Sequence, residues 1–111
     1  MTSNSYRKGY LFEIRVKKLL EKNGWTVFRQ SKSSFPDLIC LKATNNYCSL
    51  IDRECHRRTT EIQLVECKVD KSGITNDEKQ KLKELADSIG TECYGVFAYR
   101  QGKKVRFKTI S

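Results

Sequence analysis

Glu66 is a charged residue in a run that should not hold one. Its neighbours Leu64, Val65, Cys67 and Val69 are apolar, and a carboxylate in such a strand is costly unless it is paired or holds a metal. Lys68 stands two residues on, so in a strand it shares the face of Glu66. Asp37 follows Pro36, the only proline in the chain, at the start of an earlier apolar stretch. If the two strands pair, Asp37 meets the Glu66–Lys68 pair. Glu13 is the fourth residue of interest. On a helical wheel it borders the stripe of Phe12, Val16 and Leu20, and so can point at a sheet. Gly9, one turn earlier, suits a close backbone approach.

Two carboxylates, with the main-chain carbonyl of Cys67 between Glu66 and Lys68, make an oxygen donor set of the kind a hard divalent cation takes. Such a cation acidifies a bound water and neutralises charge developing on a phosphodiester. An ammonium beside it can hold the attacking water or pair with the pentacovalent phosphate. The competing reading is a Glu66–Lys68 ion pair on a half-exposed strand. His56 is the only histidine, which argues against histidine general-base chemistry. The five cysteines are an odd number without a CxxC, pointing to reduced thiols in an intracellular protein. Cys40, Cys67 and Cys93 lie in apolar runs and read as core filler. Cys48, Cys55 and His56 form only a weak zinc set.

The elements that must position these residues follow from periodicity. A helix is expected from about Tyr6 to Asn23, with Gly24 as its left-handed stop. Trp25 to Gln30 and Asp37 to Lys42 read as strands, separated by the turn-rich Ser31-Lys32-Ser33-Ser34-Phe35-Pro36. A polar stretch at about 43–60 reads as a long basic hairpin connection, with a short strand suggested at Tyr47–Ile51. Glu61 to Val69 alternates cleanly, with Ile62, Leu64, Glu66 and Lys68 on one face. Thr75-Asn76-Asp77-Glu78 resembles a capping box for a second helix with the stripe Leu82, Leu85, Ala86 and Ile89, ended by Gly90. Cys93 to Tyr99 and Lys104 to Ile110 are the last strands, joined by a turn at Gln101-Gly102. The order α-β-β-β-α-β-β implies an α/β (α+β) domain, a mixed five-stranded sheet flanked by helices, over 1–111.

Charge narrows the partner class. The 111 residues carry 22 Lys+Arg against 13 Asp+Glu, a net charge of +9, which on a small domain favours a polyanion, most often nucleic acid. Residues 1–35 hold eight bases and two acids, and residues 99–111 hold five bases and no acid. Arg7, Lys8, Arg29 and Lys32, with Arg57 and Arg58 in the 43–60 segment, are the candidate DNA contacts. The longest mainly apolar run, Cys93 to Tyr99, is seven residues, far short of the ~20 that a membrane helix needs. No apolar leader marks export, so an intracellular location is expected.

Pro36-Asp37 followed by Glu66-Cys67-Lys68 resembles the PD-(D/E)XK nuclease pattern. The wider arrangement, from Tyr6 to about Ile110, looks like the archaeal-type Holliday junction resolvase family, its viral members included. In that family a Lys-Gly precedes a helix bearing a Glu, and a strand ending in Arg leads through a serine-containing loop to the catalytic Asp. The counterparts are Lys8-Gly9, Glu13, Arg29, Ser31-Lys32-Ser33-Ser34 and Asp37. The Glu13–Asp37 spacing also suits the family, and Ser33 fits its active-site serine best by offset, with Ser31 and Ser34 as other candidates. The stretch between Asp37 and Glu66 is longer than is typical there.

The resemblance implies a restriction-endonuclease-like core and a metal-dependent endonuclease that resolves four-way junctions. It implies that Asp37, Glu66 and the Cys67 carbonyl ligate Mg²⁺ or Mn²⁺, and that Glu13 binds the metal or positions a metal water. Lys68 would then orient the nucleophile and Ser33 would contact the scissile phosphate region. The Cys67 thiol would be irrelevant. Partners implied are branched DNA and a second copy of the chain in a homodimer, with no membrane and no small-molecule cofactor. A nuclease of the same fold acting on nicked, flapped or single-stranded DNA is an alternative, as is a non-catalytic nucleic-acid-binding protein.

Overall fold

The computed structural model describes residues 2–30, 34–47 and 56–110, with side chains over 8–30, 34–43 and 60–110. The elements are α1 (Thr2–Lys22), β1 (Thr26–Arg29), β2 (Leu38–Tyr47), β3 (His56–Asp70), a short 3₁₀ turn (Lys71–Gly73), α2 (Asn76–Ile89), β4 (Cys93–Gln101) and β5 (Lys104–Ile110). The element order is the one periodicity predicts. Helix α1 begins about four residues earlier than expected.

The five strands form one sheet in sequential order, β1-β2-β3-β4-β5. All neighbours are antiparallel except β3 and β4, which run parallel. A parallel pair needs a crossover, and α2 supplies it. Each face of the sheet carries one helix and one apolar cluster. Phe12, Val16 and Leu20 of α1 pack on Val27, Leu38, Cys40, Val65, Val96 and Ala98. Leu82 and Ala86 of α2 pack on Leu64, Cys93 and Phe97. Strand alternation assigns these sets. Val65 and Leu64 are sequence neighbours and serve opposite cores.

Three local signals act as their chemistry requires. Gly24 takes φ +94° after α1. Thr75 caps α2, its Oγ1 accepting from the Glu78 N–H at 3.2 Å. Gly95 lets α2 approach β4, since a Cβ there would lie 2.6 Å from Leu82 Cγ. Gly9 behaves otherwise than expected: a Cβ there would meet nothing within 4 Å, so no close backbone approach requires glycine.

The 43–60 stretch is corrected in part. The β2–β3 ladder runs through ten pairs, from Leu38↔Val65 to Tyr47↔His56, so residues 43–47 and 56–60 of this stretch belong to strands. Ladder hydrogen bonds do not require apolar alternation, and Thr44, Thr59 and Thr60 are β-branched residues suited to a pleat. The rest of the suggested Tyr47–Ile51 strand lies outside the described residues, as do Cys48 and Cys55.

Candidate active site

The β2–β3 register creates the central contact. Leu38 pairs with Val65, so Asp37, one residue before β2, stands beside Glu66. Backbone donors of each segment hold the carboxylate of the other. The Asp37 backbone N–H donates to Glu66 Oε1 at 3.1 Å, and the Cys67 backbone N–H donates to Asp37 Oδ2 at 2.8 Å. Gln30 fixes the approach from outside. Its backbone N–H donates to the Asp37 carbonyl at 3.0 Å, and its Nε2 donates to the Pro36 carbonyl at 2.7 Å. Asp37, Glu66 and the neighbouring backbone are thereby held by hydrogen bonds that precede any ligand.

Glu66 is 7% exposed. Burial, then the charge of Asp37 and a side-chain hydrogen bond with it, push its pKa up to about 8, against the opposing pull of Lys68 and the Asp37 N–H. A buried acid of this kind sheds its proton readily only when positive charge arrives.

Lys68 Nζ lies 3.6 Å from Glu66 Oε2 and 2.7 Å from Glu78 Oε2. Burial lowers the Lys68 pKa, but the hydrogen bond to Glu78 and the charges of Glu66, Glu78 and Asp37 outweigh it, so the net shift is upward. Lys68 is thus held as an ammonium. Glu78 is the residue that sequence reasoning missed. Its signal was the capping box, which places a glutamate in the first turn of α2. The Thr75 hydroxyl donates to Glu78 Oε1 at 3.2 Å while Oε2 takes Lys68.

Glu13 reaches the region from α1. Arg29 Nε donates to Glu13 Oε1 at 3.4 Å, and the Arg29 guanidinium lies 4.8 Å from the Tyr10 ring centroid. Burial and then the charge of Asp37 raise the Glu13 pKa, against the pull of Arg29. Glu13 therefore lies within the field of Asp37. Even so, among the described residues no three His, Cys, Asp or Glu side chains come close enough to form a metal-holding group. Asp37, Glu66 and Lys68 form the assembled part of the site, and Glu13 stands beside it on Arg29.

The remaining assignments divide by position. The Cys67 side chain packs on the α1 cluster, and burial followed by the charges of Asp37, Glu13 and Glu66 pushes its thiol pKa far up. It stays protonated and is no nucleophile. Burial likewise pushes Cys40 up to about 12. Ser33, Lys32 and Ser31 lie outside the described residues, as do the side chains of Arg7, Arg57 and Arg58, while the backbones of Arg57 and Arg58 form part of β3. Lys8 lines a cavity on the α1 face.

The chain matches no protein-family model, no curated protein and no solved structure.

Proposed function

We propose that this chain is a metal-dependent DNA endonuclease, most specifically one that resolves four-way junctions. The observation that carries the reading is the Asp37–Glu66 contact with Lys68 alongside, on a domain of net charge +9. It is supported by the resemblance of Pro36-Asp37 and Glu66-Cys67-Lys68 to the PD-(D/E)XK pattern on adjacent strands. A restriction-endonuclease-like core is part of the same reading.

The donor set fits Mg²⁺ or Mn²⁺. Two carboxylates side by side, one of them held above the usual carboxylate range by burial and by the charge of the other, are a donor set that a hard cation with several waters can take. Asp37 and Glu66 would hold it with the Cys67 carbonyl, and Glu13 would orient a water from its place beside Asp37. Such an ion, when bound, supplies an acidified water and neutralises phosphate charge. The chain's own residues do the rest. Lys68 Nζ, anchored by Glu78, presents N–H donors to the attacking water or to the phosphate oxygens. The Asp37 and Cys67 N–H groups keep the two carboxylates from rotating away. Ser33 is proposed to contact the scissile phosphate region.

A homodimer would set two such sites on two strands of a junction, with a two-fold axis matching the substrate's near symmetry. A second reading, cleavage of nicked, flapped or single-stranded DNA, draws on the ten-pair β2–β3 ribbon with Arg57 and Arg58 in its backbone, an extra surface for DNA. No helix among the described residues is long and apolar enough to cross a membrane.

The test offers purified protein a synthetic four-way junction, a flap, a linear duplex and a single strand, each with Mg²⁺ and with EDTA. Paired symmetric nicks confined to the junction are expected. Cuts on the flap or single strand alone select the second reading. Binding without cleavage of any of them overturns the nuclease reading in favour of a non-catalytic nucleic-acid-binding protein.

A further inference from the structure

A cavity of about 240 Å³ opens on the α1 face of the sheet, lined by Lys8, Leu11, Phe12, Arg15, Val69 and Arg100. Its position and chemistry are both informative. Val69 follows Lys68 on β3 and points to the opposite face, so the cavity lies at the same end of the sheet as Asp37, Glu66 and Lys68. Three of its six lining residues are cations and none is an acid. The nearest carboxylate along β3, that of Asp70, accepts from the Ser72 N–H at 3.5 Å. Arg15 is already oriented, with Nη2 donating to the Lys103 carbonyl in the β4–β5 turn. A guanidinium fixed at one nitrogen presents its other N–H groups without further ordering cost.

Size and floor select the ligand. At ~30 Å³ per water the volume exceeds what a lone ion or a single water fills, and it falls below the ~300–1,000 Å³ of pockets that engulf drug-sized molecules. Leu11, Phe12 and Val69 give it an apolar floor, which a bare phosphate does not use and the face of a sugar or base does. We infer that this cavity is a subsite for one nucleotide unit of the DNA strand. Its phosphate is taken by Lys8, Arg15 and Arg100, and its sugar or base lies on Leu11 and Phe12. The inference rests on the nuclease reading for the identity of the strand, and it deepens that reading by naming where the strand is gripped. Arg15, Arg100 and Leu11 come from opposite ends of the chain.

Two exposed positions test it. Arg100→Gln removes one cation, and Leu11→Glu sets a carboxylate in the cavity at a residue that is 54% exposed and outside both cores. Binding of a fluorescein-labelled four-way junction and a labelled ten-nucleotide single strand is measured by anisotropy in EDTA, from 50 to 200 mM KCl, with thermal melts as a control for folding. Arg100→Gln should weaken binding about fivefold and reduce the salt slope by about one. Leu11→Glu should weaken it at least tenfold. Wild-type affinity and slope in both variants overturn the subsite. Cleavage by the wild-type protein with Mg²⁺ is scored separately. Cleavage with unchanged variant binding leaves the nuclease and removes the subsite. Weakened variant binding with no cleavage of any DNA keeps the subsite and removes the nuclease.

Discussion

Lys68 is bound more closely to Glu78, at 2.7 Å, than to Glu66, at 3.6 Å. The lysine of the candidate site is therefore anchored from α2, across a helix–strand boundary, and leans on the acidic pair from there. Glu78 meets Thr75 through one oxygen and Lys68 through the other, so the helix start and the site share a residue.

Glu78→Gln should accordingly loosen the ammonium without removing it. Cleavage is expected to fall by about tenfold in kcat, ~1.4 kcal/mol of barrier, with junction affinity unchanged. Lys68→Ala should cost at least ~100-fold. Single-turnover cleavage beside anisotropy in Ca²⁺ separates the two quantities. A Glu78→Gln variant that cuts at the wild-type rate would show that the anchor is idle.

Cation binding should depend on pH in a definite direction. Glu66, with a pKa of about 8 before any ion arrives, must release a proton to hold Mg²⁺. Affinity is then expected to rise about tenfold per unit from pH 6 towards 8 and level off above it. Mg²⁺ titrations followed by thermal shift report this directly. Asp37→Asn and Glu66→Gln should each abolish the Mg²⁺-induced rise in Tm as well as cleavage.

The same group has an opposite consequence for the metal-free fold. Its folded pKa is raised, so between the ordinary carboxylate value of 4.5 and about 8 the folded state holds more protons than the unfolded chain. Stability from this residue is present at low pH and declines as pH rises through that window. Glu13, also raised, has the same sign. Glu66→Gln should melt several degrees above wild type at pH 8 and show little gain at pH 5. Melts in EDTA at the two values decide it.

Gly95 offers a purely structural check. A methyl group there would press on Leu82 Cγ at 2.6 Å, and overpacking of this kind costs ~1–3 kcal/mol. Gly95→Ala should lower stability by that order in urea melts. Leu82→Ala removes the opposing atoms, so the double variant should be less destabilised than the sum of the single ones.

The acidic pair was readable because Glu66 is a charge among Leu64, Val65 and Cys67, and Pro36-Asp37 marks the start of the strand it meets. The capping residues and core stripes were readable for the same local reason. What escaped is what tertiary structure decides. The long β2–β3 ladder has no apolar period to betray it, because residues such as Thr44, Asn45, Arg58 and Thr59 pair through backbone groups. The Lys68–Glu78 bond joins a strand to the next helix, and the capping box that places Glu78 does not say which lysine it meets. Arg29, read as a DNA contact, also touches Glu13 and Tyr10. That pairing depends on how α1 lies over β1. The clustering of Lys8 and Arg15 with Arg100 needs α1 to meet β4.

The single parallel pairing between β3 and β4 divides the site along a thermodynamic seam. Asp37 and Glu66 belong to one hairpin, whereas the grip on Lys68 depends on α2, the crossover that joins the parallel strands. Local opening of α2 would free the ammonium and leave the two carboxylates on their backbone N–H donors. Amide exchange should then fall into two classes, with the α2 amides exchanging before those of β2 and β3. The protein would pass through a state that keeps its acids in place and has let go of its lysine.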